Sequence, residues 1–252
     1  MTEMTRHEPG TFSWMELATN DQKSSQRFYE QLFGLTSKEM PIPNDGVYVM
    51  LQKGGKDAAA LYENKQAPPN WLSYISVANA DESTARAKEL GANIINGPFD
   101  VMDVGRMSVI ADPEGAVFAI WQAGKHFGAA VRDEPGTLCW NELYTRDPAK
   151  ALQFYTSLFG WTPKKSPGYI EVAAGSTPVG GIFEINEQMG PMPAHWLPYF
   201  AVDDCDATVK QAESMGGSAM MGPMDIPKVG RFAIVRDPQG AGFAVIKLQL
   251  QH

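Results

Sequence analysis

Two carboxylates draw attention through their neighbours. Glu16 lies in "TFSWMELATND", residues 11–21, and Glu142 lies in "TLCWNELYTRD", residues 137–147. Each follows a tryptophan by two positions, Trp14 or Trp140. In a strand every second side chain points to the same face, so each segment sets an indole beside a carboxylate. An aromatic wall with one carboxylate suits a planar or cationic organic molecule, through stacking and cation–π contacts worth roughly 0.5–2 kcal/mol each. A desolvated carboxylate with a raised pKa is also a candidate general base for a proton next to a carbonyl. No matched acid or oxyanion hole is legible beside it, and the chain has no P-loop, GxGxxG or GxSxG motif.

The echo between the two segments runs through the whole chain. A shift of 126 residues lays "FYEQLFGLT" on "FYTSLFGWT", and a shift of 125 lays "WLSYISV" on "WLPYFAV", "GPFDVMDVGR" on "GPMDIPKVGR" and "DPEGAVFAI" on "DPQGAGFAV". The change of shift implies a single loop deletion in the second copy. The halves run from 9 to 122 and from 135 to 248, joined by a linker, 123–134, "AGKHFGAAVRDE".

The carboxylates therefore need strands to carry them, and the pattern supplies these twice per half. Residues 11–19 alternate in polarity and are bounded by turn formers, which predicts a strand. A helix follows, with Asp147 as N-cap, Pro148 at its first position and Gly160 just past its end. Three short strands come next, near 36–41, 46–52 and 58–63 in the first half. The pattern then restarts: a strand at 71–77, a helix from Asp81 to Leu90, and strands near 93–96, 104–111 and 116–122. "DPEG" and "DPQG" predict turns between the last two strands. Each half thus reads as two βαβββ units, four in all, an α+β fold with mixed sheets.

A first strand ending in Asp21 or Asp147, then "FYEQLFG" or "FYTSLFG", then "DPEG" or "DPQG" before the last strand, resembles the vicinal oxygen chelate superfamily. That superfamily includes glyoxalases, bleomycin-resistance proteins and extradiol dioxygenases. The resemblance covers nearly the whole chain. It implies two glyoxalase-like domains whose sheets curl into open cups, and in metal-dependent members a divalent ion held there by a His on the first strand, a His or similar residue on the first strand of the next unit, and a Glu on the last strand. Carried over, those positions fall on Trp14, Leu72 and Ala119, and on Trp140, Leu197 and Ala244. None supplies the N, O or S donor that a first-row divalent cation needs. The expectation is no metal and no cofactor.

If Trp14 faces the cup, the same parity predicts Phe12, Glu16, Ala18, Tyr74 and Trp121 around it, and Leu138, Trp140, Glu142, Tyr144, Tyr199 and Ile246 in the second half. Such a surface looks like a ligand pocket, mostly apolar with few polar groups. The alternative reading has the tryptophans plug the cups as core. Arg106 and Arg231, repeated in "VGR", are candidates to join the ligand site or to pair with Glu16 and Glu142, since a partly buried carboxylate needs a partner. Of the histidines, His7 and His252 are terminal and His126 is in the linker. His195, two residues before Leu197, is a third catalytic candidate beside the glutamates, or a structural hydrogen-bonding residue. Met189, Met192, Met215, Met220, Met221 and Met224 are either an adaptable ligand surface or gap fillers.

The 252 residues carry a net charge of -8 and no basic run, which argues against nucleic acid as a partner. No apolar run approaches the roughly 20 residues of a membrane span. "MTEMTRHEPG" lacks the apolar stretch of a secretory signal. Cys139 and Cys205 form no CxxC motif, and both are expected as buried thiols. These readings predict a cytoplasmic protein, a monomer by internal pairing of its units or a homodimer. Three functions stay open: metal-free binding of a small, aromatic or cationic organic molecule; a glyoxalase, dioxygenase or hydroxylase-like enzyme with a displaced or absent metal; and a protein-interaction module with filled cups.

Overall fold

The computed structural model describes residues 2–42 and 46–249. A short strand β1 (Thr2–Glu3) precedes the first half, which runs β2 (Phe12–Thr19), α1 (Gln22–Phe33), β3 (Thr36–Ile42), β4 (Gly46–Lys53), β5 (Lys56–Glu63), β6 (Asn70–Ser76), α2 (Ala80–Glu89), β7 (Asn93–Val101), β8 (Gly105–Ala111) and β9 (Val117–Ala123). The linker contributes β10 (Val131–Arg132), which pairs with β1. The second half repeats the order with β11 (Leu138–Thr145), α3 (Pro148–Phe159), β12 (Thr162–Ser166), β13 (Tyr169–Ala174), β14 (Thr177–Glu184), β15 (His195–Ala201), α4 (Cys205–Ser214), β16 (Ser218–Ile226), β17 (Gly230–Arg236) and β18 (Gly242–Leu248). Both halves are α+β, with two βαβββ units sharing one mixed sheet.

Each sheet has eight strands, in the order β3-β4-β5-β2-β6-β9-β8-β7 and β12-β13-β14-β11-β15-β18-β17-β16. The first strands of the two units pair antiparallel at the centre, β2 with β6 and β11 with β15. Parallel neighbours such as β2 and β5 need a long crossover, which α1 with β3 and β4 supplies. Asp21 and Asp147 cap α1 and α3 through Ser24 N and Lys150 N, and Gly34 and Gly160 end them in the left-handed conformation. Helix α2 begins one residue earlier than the sequence suggests, because the Asn79 side chain accepts from the backbone of Asp81 and Glu82. Strand β7 is longer than predicted and reaches Val101 through two register shifts.

The two sheets turn their helix-bearing backs to each other. Phe28, Tyr29 and Phe33 of α1 join Phe200, Val209 and Phe243 of the second half in one core. Phe118 and Ile120 join Phe154, Tyr155, Trp161 and Trp196 in another. The motif residues lock this interface in duplicate. Tyr29 Oη donates to Asp237 Oδ2 at 2.9 Å and accepts from Trp71 Nε1 at 3.0 Å. Tyr155 Oη donates to Asp112 Oδ2 at 3.0 Å and accepts from Trp196 Nε1 at 2.9 Å. The other carboxyl oxygen of each aspartate holds backbone N–H groups of its own turn. The "FY" of one half is thus tied to the "DP" turn of the other.

One predicted parity fails at this interface. Register shifts separate Phe12 from Trp14 and Leu138 from Trp140. A bulge adds a residue and turns the strand over, so Phe12 packs in the back core against Trp161 and Trp196 while Trp14 faces the cup. Leu138 likewise joins the back core.

Candidate ligand cups

In the first cup the central row across the sheet is Trp14, Tyr74 and Ala119. Glu16, opposite Leu72, lies one step along β2. Its carboxylate accepts from Tyr74 Oη at Oε1, 2.5 Å, and from Tyr48 Oη at Oε2, 2.8 Å. Tyr48 in turn accepts from Trp14 Nε1 at 3.0 Å. The hydrogen bonds therefore run in one direction, from indole to phenol to carboxylate. Burial raises the pKa of Glu16, and the two tyrosine hydroxyls pull it back. Burial and the Glu16 charge push Tyr48 and Tyr74 well above the ordinary phenol value, so both stay neutral donors.

The second cup repeats this wiring. Tyr199 Oη donates to Glu142 Oε1 at 2.8 Å, and Trp140 Nε1 donates to Tyr169 Oη at 2.9 Å. Burial raises the Glu142 pKa, opposed by hydrogen bonds from Tyr199, Tyr144 and Tyr169. Gly181, opposite Glu142 on β14, makes room for this arrangement: a Cβ there would sit 1.8 Å from the Tyr169 hydroxyl.

The cups differ in what covers them. After β9 the linker folds over the Trp14 end of the first cup, with Ala129 N bonded to Ser13 O at 2.7 Å. His126 stands edge-on to Trp14, 4.8 Å between centroids, and its carbonyl accepts from Trp121 Nε1. Trp14 is consequently only 4% exposed, whereas Glu16 is half-buried. The second cup is covered at the opposite end. Tyr144 occupies the place of Ala18 and stacks flat on His195, 5.1 Å apart. Met189 and Met192 pack against the same cluster, and Arg146 holds their loop through the carbonyls of Gly190 and Met192. Here Glu142 is 8% exposed and Trp140 is half-buried.

The sequence-predicted residues Trp14, Glu16, Tyr74 and Trp121 come together in the first cup, and Trp140, Glu142, Tyr144 and Tyr199 in the second. Each tryptophan is bonded to a tyrosine; Trp14 is buried in the cluster of the first cup, and Trp140 keeps accessible surface. The arginines are the main correction. Arg106 pairs with Asp81 and Asp100, and Arg231 with Asp206 and Asp225. Alternation along β8 and β17 gives the cup to Met107 and Phe232 and turns the arginines to the helix-bearing face, where Asp81 of α2 and Asp206 of α4 stand. Among the described residues, no lysine or arginine forms an ion pair with Glu16 or Glu142. His195 is on the predicted face, at the rim, with Nδ1 bonded to Pro193 O. His252 lies outside the described residues. Met215 packs against the back core, while Met220, Met221 and Met224 are exposed on β16. Both cysteines are buried free thiols, and burial pushes Cys139 up to about 12 and Cys205 up to about 11.

Tyr48, Tyr169, Tyr62 and His126 escaped the sequence reading. The first two sit 121 residues apart, outside both shifts that align the halves, because the loops before β4 and β13 differ in length. Comparing the hairpins themselves, "GVYVMLQ" with "PGYIEVA", would have exposed them. His126 had no signal, since its place in the cup depends on where the linker folds.

A divalent metal has little to hold it at the positions its family would use. The side chains are Trp14, Leu72 and Ala119, or Trp140, Leu197 and Ala244, and the nearby phenols are held protonated. Among the described residues, no group of three or more His, Cys, Asp or Glu is placed to bind a metal ion. These residues do not fit that group.

Comparison with known proteins agrees with the geometry. The model of the Glyoxalase/Bleomycin resistance protein/Dioxygenase superfamily matches residues 11–120 and again 123–245. "Putative glyoxylase CFP32" of Mycobacterium tuberculosis is 40% identical, covering 98% of both chains. "Anthracycline biosynthesis protein DnrV" of Streptomyces peucetius is 38% identical, over 98% of this chain and 96% of that one. Among solved structures, the Mn(II)-bound glyoxalase from Novosphingobium aromaticivorans superposes with a TM-score of 0.68 at 14% identity, over 96% of this chain and 83% of that one. At that identity the likeness speaks for the fold alone. With two family matches in tandem, two cupped βαβββ sheets and relatives aligned end to end, this chain belongs to the glyoxalase/bleomycin resistance protein/dioxygenase superfamily.

Proposed function

We propose that the protein binds a small, planar aromatic or cationic organic molecule in its cups and does so without the divalent metal of its metal-dependent relatives. One observation carries this reading: each cup sets a carboxylate wired to tyrosines and a tryptophan beside positions that carry no metal donor. The name of the Streptomyces relative adds support, because anthracyclines are fused aromatic ring systems that suit an aromatic wall. Purified protein analysed for metals is expected to carry far less than one tightly bound transition metal per chain. Stoichiometric Zn, Ni, Mn or Fe that survives dialysis would overturn the metal-free part. A thermal-shift screen of planar aromatic compounds is expected to give saturable stabilisation, since ligands of the native state raise its stability.

A second reading is an enzyme that uses no metal, with Glu16 or Glu142 as base. The relative named as a glyoxylase favours it, as does burial that raises both carboxyl pKa values toward those useful for proton transfer. Its signature is turnover that Glu16→Gln or Glu142→Gln abolishes while ligand affinity survives.

A further inference from the structure

Although the cups are duplicates, their carboxylates are not in equivalent states. Glu16, Tyr48, Tyr62 and Leu72 of the first cup all keep accessible surface. In the second cup the counterparts of Glu16 and Leu72, Glu142 and Leu197, are buried, and Phe183 replaces the phenol of Tyr62. A carboxylate offers about four lone-pair positions. Glu16 uses two of them, for Tyr74 and Tyr48. Glu142 accepts from Tyr199, and its end of the cup is covered by Tyr144, which stands where the first cup has Ala18 and stacks on His195.

We infer that Glu16 and the rings of Tyr48, Tyr62 and Tyr74 form a subsite for the ammonium or N–H cation of an organic ligand, and that Glu142 serves no such role. The inference rests on the reading of the cups as small-molecule sites. A half-buried carboxylate without a protein cation is costly to maintain. Its remaining lone pairs have no protein donor among the described residues, and the tyrosine rings beside it add cation–π attraction to that of the carboxylate. Tyr48 and Tyr62 stack 6.5 Å apart beside it, presenting two such faces. In the second cup Tyr144 and His195 cover that end, and Glu142 is buried beneath them. Its open end is instead lined by Trp140, which offers an apolar face.

The test uses the full chain and two probes, proflavine as a planar aromatic cation and 1,4-dihydroxyanthraquinone as a neutral planar compound, both read by equilibrium fluorescence titration. Wild type is expected to bind one equivalent of proflavine. Glu16→Gln is expected to weaken it at least tenfold. Ala18→Tyr keeps the carboxylate but copies the cover of the second cup, and is expected to weaken it as much. Glu142→Gln should shift it less than twofold, and Tyr144→Ala should raise the stoichiometry from one to two. Thermal unfolding of each variant separates lost binding from lost fold. Wild-type affinity in both Glu16→Gln and Ala18→Tyr overturns the inference, as does a loss confined to Glu142→Gln. Unchanged stoichiometry in Tyr144→Ala overturns the part given to Tyr144. Binding of the neutral probe without proflavine overturns the cation subsite and keeps the cup reading; binding of neither overturns both.

Discussion

The two halves are most alike where they touch each other and least alike in the cups they present outward. At the back, Trp71, Tyr29 and Asp237 mirror Trp196, Tyr155 and Asp112 to within 0.1 Å in each hydrogen bond. In the cups, the inner wiring of indole, phenol and carboxylate is kept, but the covers are opposite. The first cup is closed over its tryptophan and open at its carboxylate; the second is closed over its carboxylate and open at its tryptophan. The lesson is that mutual burial constrains both copies together. A change on one back must be matched by the other, because interiors are close-packed. A cup rim faces its own loop or linker and carries no such constraint.

The largest effect should come from the back. Trp161, fully buried and bonded to Gly10 O, is expected to cost about 3–5 kcal/mol on replacement by alanine. Trp140→Ala, at the open rim of the second cup, should cost less than half of that in urea unfolding. Equal losses would erase the distinction between back and cup.

Next come the interface tyrosines. Tyr29→Phe and Tyr155→Phe each strand an indole N–H and remove a donor from a buried aspartate, so each should cost about 1–3 kcal/mol. The two losses should match within error in chemical denaturation. A clear inequality would show that the backs, too, have diverged.

A smaller effect concerns pH. Burial raises the native pKa of both Glu16 and Glu142 above the unfolded value. Between those values the native state holds more protons than the unfolded chain, so stability falls as pH rises. The stabilising contribution is complete below the ordinary glutamate value and is lost as pH climbs through the raised one. Glu16→Gln and Glu142→Gln should each flatten this decline in urea titrations across that range. Saturating proflavine should flatten the Glu16 part alone, by favouring its charged form; an equal effect on the Glu142 part would make the cups equivalent. Smallest of all, Arg106→Ala and Arg231→Ala remove exposed ion pairs to the helices, on the face away from the cups. The midpoint of unfolding and proflavine affinity should both stay at wild-type values. A loss of affinity in either variant would return the arginines to the ligand site.

The sequence by itself determined much of this protein. Duplication, strand parity and caps such as Asp147 and Gly160 are local or repeated signals, and they gave the four units and brought Trp14 and Glu16 to one face. The absence of a donor at position 14, 72 or 119 was also legible, because composition at an aligned position needs no coordinates. Other features depended on geometry that no local pattern encodes. The bulge beside Trp14 turned Phe12 to the back because the second half offered Trp161 and Trp196 to pack against. Strand alternation turned the arginines from the cup, but that Asp81 and Asp206 would pair with them there depended on where α2 and α4 pack. The placement of His126 over Trp14, and of Tyr144 under His195, followed from how the linker and the loop before β15 close over sheets already formed. Side-chain alternation is a property of the strand, but the cover of a cup is made by segments distant in sequence, so only the tertiary structure decided which carboxylate stays open.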